Sequence, residues 1–266
     1  MENSSDYFCF KRFKVKNIHS AMRVNTDGVL LGAWMTIKAD DRRLLDIGTG
    51  SGVIALMAAQ RVHNIVKAKP DMFAMKIDRQ TVNIDDIVKI EGVELDVGSA
   101  EEARYNFKNS PWPDTLSLYS CSFQDFLLRN DTEPGSYDLI FTNPPYFEDA
   151  LKAPDHRKSQ ARHTDSLPYE TIIAGSLELL SPIGRLALIL PVHEAEKFIT
   201  LARFAGLNLD RLCKVSSSKN KPPKRYLMEF SKEHSLPTEQ TELVLQEGKE
   251  YTNEYRQLTK DFYLDF

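Results

Sequence analysis

Asn143-Pro144-Pro145-Tyr146 brings together residue types that suit chemistry at a planar amino nitrogen. The lone pair of an exocyclic amino group is conjugated with its ring, which makes the nitrogen a poor nucleophile. An Asn side-chain oxygen and a neighbouring backbone carbonyl can accept its two hydrogens and favour a more pyramidal, reactive nitrogen. Consecutive prolines fix φ and hold the preceding residues extended, so those oxygens are aimed rigidly. Tyr146 offers a π-face on which a base taken out of its stack can lie. Asn143, Pro144 and Tyr146 are the candidate catalytic residues, and the arrangement calls for no metal and no strong general base.

A second constellation lies upstream. Leu44-Leu45-Asp46-Ile47 is an apolar run that breaks into Gly48-Thr49-Gly50-Ser51-Gly52. Gly48, Gly50 and Gly52 allow a tight turn and close approach of a ligand at the carboxyl end of a strand, where open α/β sheets bind ligands. The spacing differs from the G-x-G-x-x-G of dinucleotide enzymes, which disfavours a nicotinamide oxidoreductase. An acid at the end of the next strand would accept from ribose hydroxyls. Asp78 and Glu94 compete for that place. Glu94 is preferred because Val93–Asp96 leads into a convincing helix, whereas Asp78 precedes a weak helix former, Gln80-Thr81-Val82-Asn83.

The elements that carry these turns read as alternating strands and helices. Strands are predicted at Arg43–Ile47, Val93–Asp96, Leu116–Cys121, Tyr137–Phe141, Gly184–Leu190, Leu209–Val215, Tyr226–Phe230 and Glu242–Gln246. Helices are predicted at Asp27–Thr36, Val53–Gln60, Ser99–Lys108, Tyr169–Leu180 and Glu194–Ala205. Such alternation predicts a parallel sheet covered on both faces. Residues 1–40 read as a lead-in and 41–266 as one α/β domain. The connection between Arg61 and Gly92 far exceeds the usual ~2–6 residues, so 66–90 reads as an insertion.

Composition bounds the function classes. With 42% hydrophobic and 27% charged residues among 266, the chain suits one large α/β domain with small additions. No apolar run approaches the ~18 residues of a membrane span, the N-terminus predicts no signal peptide, and three scattered cysteines predict neither a disulfide framework nor a zinc site. A cytoplasmic protein is expected, with no membrane partner. The formal charge of −4 excludes a dedicated nucleic-acid coat protein. Basic residues nevertheless cluster at Lys11, Arg12, Lys14 and Lys16, at Arg157, Lys158, Arg162 and His163, and at Lys214, Lys219, Lys221, Lys224 and Arg225. Together they predict a nucleic-acid patch.

In this order, the glycine turn and the Asn-Pro-Pro-Tyr turn resemble the class I, Rossmann-like methyltransferases that use S-adenosylmethionine (SAM). That resemblance implies a mostly parallel twisted sheet with helices on both faces and a late antiparallel strand. It implies SAM as cofactor, held by Asp46, Gly48, Gly50, Gly52, Glu94 and Asn143. The cofactor adenine falls near Ser122 and Phe123. Many such enzymes carry an acid there; this chain has Ser122, with Asp125 three residues on, so the Ser hydroxyl, backbone amides and the Phe123 ring are expected to hold the base.

Longer segments narrow the resemblance. Phe10–Val15, Met22–Trp34, Ser110–Trp112, Asn143–Phe147, Ala161–His163, Lys221–Arg225 and Tyr251–Leu264 resemble the bacterial valine-tRNA adenine-37 N6-methyltransferases, over nearly the whole chain outside 66–90. The family implies tRNA as partner, with Tyr146, Phe147, Arg162, Lys221, Lys224 and Arg225 as substrate-binding residues. It also implies that the lead-in, with Thr26-Asp27-Gly28, folds near the cofactor, either as a cap over the sheet or in contact with the ligand. Methylation of another RNA, of DNA or of a protein amide is the alternative. DNA enzymes need a recognition domain, and glutamine methylators carry a helical domain before the glycine turn, where this chain has only ~45 residues, fewer than a typical domain. A non-catalytic tRNA-binding protein on the same scaffold is a third reading, disfavoured by the intact Asn143 and Tyr146.

Overall fold

The run Arg43–Ile47 has no polar face, so it must lie between two layers, and it forms an interior strand (β3) of a nine-stranded sheet. The computed structural model describes residues 6–20, 23–68, 88–129, 131–145, 167–233 and 237–266. Among them, β4 (Lys89–Glu94) and β5 (Leu116–Ser120) continue the sheet on one side of β3. On the other side come β6 (Tyr137–Thr142), β7 (Leu180–Pro191), β9 (Arg225–Ser231), β8 (Asn208–Ser218), β10 (Glu239–Glu247) and β11 (Glu250–Tyr251). All neighbours are parallel except β9, which runs antiparallel between β7 and β8, and the edge hairpin β10–β11. A small hairpin, β1 (Tyr7–Cys9) with β2 (Lys14–Lys16), stands apart from the sheet.

Helices cover both faces. One apolar layer joins α1 (Thr26–Trp34) and α2 (Val53–Ala68) to Leu44, Ile90, Phe141 and Ile189. The other joins α4 (Phe123–Leu127), α5 (Tyr169–Leu179) and α6 (Val192–Ala205) to Leu45, Ile47, Ile140 and Leu188. Helix α3 (Val97–Lys108) follows β4 and is capped by Asp96, which accepts from the Ser99 amide at 2.8 Å. Helix α1 packs closely on α2: a Cβ at Gly32 would lie 2.7 Å from Met57 Sδ. Its last carbonyls, Gly32 and Met35, accept from Arg61 Nη1 at 2.9 and 2.7 Å. Burial lowers the Arg61 pKa to about 10. Helix α7 (Asn253–Thr259) and the residues after it return to the lead-in. There Lys11 donates from its backbone to Phe262 and from Nζ to the Lys260 and Phe266 carbonyls, and Gln60 Nε2 donates to the Asp261 carbonyl. No helix of the described residues is long and apolar enough to cross a membrane.

Several boundaries differ from the sequence reading. β4 occupies Lys89–Glu94 rather than Val93–Asp96. The strand takes in Glu91, whose buried carboxylate accepts from Arg43 Nε at 2.8 Å, Tyr119 at 2.9 Å and Tyr137 at 2.7 Å. Gly92 is needed because Thr49 Oγ1 would lie 2.7 Å from a Cβ there. β7 begins at Leu180, four residues before Gly184: its pairing with β6 shifts register between Tyr137 and Leu139, which absorbs the turn-like Ser-Pro-Ile-Gly. α2 runs on to Ala68, so Val66–Ala68 are helical and Lys89–Ile90 belong to β4. Residues 69–87 of the expected insertion, Asp78 included, lie outside the described residues.

Gly175 tests the packing of α5 on α4. A Cβ there would meet two Phe123 ring carbons at 2.6 Å and Leu127 Cδ1 at 3.0 Å. Alanine gains about 1 kcal/mol of helix propensity over glycine, whereas overpacking a buried site typically costs about 1–3 kcal/mol. Gly175→Ala is expected to lower stability by about 1 kcal/mol net in urea denaturation. A rise in stability would mean that α5 moves freely over Phe123.

Candidate active site

The order of the strands reverses at β3: β4 and β5 lie to one side, β6 and β7 to the other. In open α/β sheets the ligand crevice lies outside the carboxyl ends at such a switch point. Here Ile47 pairs with Thr142, and Thr142 Oγ1 donates to the Ile47 carbonyl at 2.7 Å. The next residues of the two strands, Gly48 and Asn143, therefore leave the sheet side by side. Asn143 is half-buried with its side-chain oxygen shielded from solvent, Pro144 is buried, and Pro145 is exposed. Tyr146, Phe147 and Arg162 lie outside the described residues.

The glycine turn is fastened to β4. The Gly48 and Thr49 amides donate to the Val93 carbonyl at 2.9 and 3.1 Å, and the Gly50 amide donates to Glu94 Oε2 at 2.8 Å. The other oxygen of Glu94 accepts from the Asp96 amide at 2.8 Å. Two of the glycines serve different ends. At Gly52 (φ +84°) a Cβ would lie 2.5 Å from the Phe107 ring, so that glycine lets α3 approach; at Gly48 (φ +70°) a Cβ would meet nothing within 4 Å, so that side is open to a ligand. Beneath the turn, Asp46 is fully buried, and neither carboxylate oxygen has a protein hydrogen-bond partner. Burial pushes its pKa up to about 7; the nearby Thr49 hydroxyl and Ala55 amide oppose the rise, and repulsion from Glu94 adds to it.

Beyond β5, Ser122 caps α4, accepting from the Asp125 amide at 3.0 Å and donating to the Asp125 carboxylate at 2.7 Å. The Phe123 ring is buried in the core against Phe126 and Gly175. The half-exposed Ser122, which precedes it, lies at the edge of the sheet. The basic run 219–225 joins β8 to β9, with Arg225 paired to Pro191 at the carboxyl end of β7. Lys221 and Lys224 are exposed there. Arg225 is half-buried, and its Nε donates to Asp27 Oδ2 at 2.9 Å, tying β9 to α1.

Comparison with known proteins decides the family. Residues 34–162 match the RMKL-like methyltransferase domain. The tRNA1(Val) (adenine(37)-N6)-methyltransferase of Pectobacterium carotovorum is 36% identical over 259 residues, 97% of this chain and 94% of the relative. The proteins of that name from Parabacteroides distasonis and Trichodesmium erythraeum are 37% and 38% identical, covering 98% and 97% of this chain and 99% and 98% of theirs. This chain belongs to the tRNA1(Val) (adenine(37)-N6)-methyltransferase family. Solved structures share the fold at lower identity. A predicted O-methyltransferase from Agrobacterium tumefaciens aligns with a TM-score of 0.60 at 16% identity, over 89% of this chain and 96% of that one. A precorrin-6y C5,15-methyltransferase from Geobacter metallireducens aligns with a TM-score of 0.50 at 15% identity, over 86% and 95%.

For a methyltransferase of this family the donor set is apt. Asp46, Thr49 and Glu94 are acceptors at the carboxyl edge, and SAM brings cationic and hydroxyl donors. The unpartnered oxygens of Asp46 fit a ligand of that kind. Sequence reasoning missed two further features. Leu95, directly after Glu94, is 53% exposed, an apolar surface of the type a purine ring packs against; an apolar residue after the strand-end acid was the available signal. Ser20 of the lead-in stands beside Gly50, its Oγ 3.6 Å from where a Cβ would be; no local pattern announces that contact.

The Asp46 carboxyl makes a pH prediction. Its pKa in the fold lies above the ordinary 3.8, so the folded state binds this proton more tightly than the unfolded chain. That contribution to stability is full below about pH 4 and is lost as pH rises towards 7, at up to about 1.4 kcal/mol per pH unit. Asp46→Asn without ligand should lack this decline when urea denaturation is followed across the window. Parallel pH profiles for the two proteins would mean that the carboxyl is solvated.

Proposed function

We propose that this chain transfers a methyl group from SAM to N6 of adenosine 37 in a valine tRNA. The observation that carries the reading is the pairing of Ile47 with Thr142, which sets the glycine turn beside Asn143, in a chain 36–38% identical to enzymes that bear this name. When bound, SAM supplies a methyl group on a sulfonium, already activated for in-line displacement. Asp46, Thr49, Glu94 and the Gly48–Gly52 turn hold and orient the donor. Asn143, aimed by Pro144 and Pro145, accepts from the adenine amino group and favours attack by its nitrogen. Tyr146 and Phe147 hold the extracted base by stacking, an assignment that rests on the motif. Alignment of nitrogen with methyl group accounts for much of the rate. Lys221 and Lys224, exposed beyond the carboxyl end of β7, meet tRNA phosphates, with Arg162 assigned the same part from the sequence. Arg225 takes a second part as the strut to Asp27.

Two measurements test this. Asn143→Ala should bind SAM and tRNA yet lose turnover on the order of a hundredfold or more, by analogy with other preorganised polar groups. Mass spectrometry should find N6-methyladenosine at position 37 with the unaltered enzyme, and tRNA carrying inosine there should not react, because inosine lacks the amino group. Near-normal turnover by a well-folded Asn143→Ala would remove the central residue.

For the surface, a Lys221→Ala/Lys224→Ala double variant should weaken tRNA binding. Its salt dependence should flatten by about one unit of slope per lost phosphate contact, with SAM affinity unmoved. Unchanged binding of tRNA would return both lysines to the solvated surface.

A further inference from the structure

Three successive backbone amides of the lead-in converge on one carboxylate. Glu102, on α3 and 3% exposed, accepts from Ile18 at 2.6 Å and His19 at 3.0 Å through Oε1, and from Ser20 at 2.9 Å through Oε2. Consecutive amides of this kind make a concave anion site, and here the anion is built into the fold. One turn further along α3, Asn106 accepts from the Lys16 amide at 2.7 Å and donates to the Lys16 carbonyl at 3.0 Å and the Ser51 carbonyl at 2.8 Å. A single side chain thus ties the lead-in to the glycine turn.

The segment is not held by burying its own side chains. Ile18 and His19 are exposed, and Ser20 alone of the three is turned in. Its Oγ lies 3.4 Å from Ser99 Oγ and 3.6 Å from where a Cβ on Gly50 would be. Apolar anchorage of the lead-in comes earlier, at Phe10, Phe13 and Val15. At 18–20 the anchorage is polar, and its effect is to set a hydroxyl at the middle glycine of the turn.

We propose that Glu102 is a positioning residue of the donor site: it fixes Ser20 against Gly50 as a wall of the SAM pocket, where the Ser20 hydroxyl contacts the donor. The inference rests on the proposed function in taking SAM as the ligand. The test uses the full chain, with SAM affinity by calorimetry and amide hydrogen exchange at residues 18–20.

Glu102→Ala should speed exchange of those amides and weaken SAM on the order of tenfold, with kcat at saturating SAM falling less than the affinity. Glu102→Gln, which keeps an acceptor oxygen, should fall between it and the unaltered protein. Ser20→Ala should leave amide protection intact and weaken SAM about threefold to tenfold. Freed amides with unaltered SAM affinity in Glu102→Ala would overturn the proposal, as would unaltered affinity in Ser20→Ala. Ser20→Ala decides the matter if Glu102→Ala does not fold. Failure of the unaltered protein to bind SAM would sink the functional reading instead, and is seen before any variant is made.

Discussion

The register between β3 and β6 governs the carboxyl edge. Side chains alternate along a strand, so a slip of one residue would exchange the two faces of β6 and carry Asn143 away from Gly48. Two features hold that register. Residues 44 to 47 and 139 to 142 are bracketed by apolar layers on both faces, and the Thr142 hydroxyl is bonded to the Ile47 carbonyl at the last pair. The hydroxyl matters because it sits where the ladder ends and the two turns begin. The glycine turn and Asn143 both follow within a few residues of that bond.

Carboxylates organise the surroundings of this edge. Glu94 ties the glycine turn to β4 and Glu102 gathers the lead-in, while at the amino end of the strands Glu91 collects Arg43 and two tyrosines. Each accepts several hydrogen bonds, which offsets the desolvation of a buried charge. Asp46 differs in that its burial outweighs the opposing influence of the Thr49 hydroxyl and the Ala55 amide, which pushes its pKa up to about 7. A pocket built of acceptors repels anions and suits a cationic guest. The same pocket would serve poorly for the pyrophosphate of a dinucleotide, which needs donors.

Much of the frame was legible because it is written in apolar runs. β3, β6, α5 and α6 fall within one or two residues of their sequence-read limits, and Gly206 ends α6 in the left-handed conformation, as a terminal glycine should. What was illegible depends on partners far away in sequence. The start of β4 is an example: Glu91 and Gly92 belong in it because of Arg43, two tyrosines and Thr49. The continuation of α2 past Gln60 is of the same kind, since Gln60 and His63 find their partners at Asp261 and Thr115. At the site, Asp46, Glu94 and Asn143 announced themselves through turns. The burial of the Phe123 ring was not legible, since an aromatic after a strand looks the same whether its ring faces a ligand or a core. Glu102 sat in plain view on a predicted helix, but only the fold reveals the three amides it holds.

The clasp between Lys11 and the segment after α7 has a consequence for the order of assembly. Its partners are separated by 249 residues, and Phe8 and Phe10 find their ring neighbour Tyr263 in the same late segment. A ribosome adding about 5–20 residues per second takes roughly 10–50 s to cover that interval. During that time Phe8 and Phe10 lack this later ring neighbour. The central strands can pair long before then. A nascent chain thus passes through a stage in which the hairpin is held on α3 by Asn106 and packed on Trp112, while the outer rings of Phe8 and Phe10 stay uncovered until the late segment arrives.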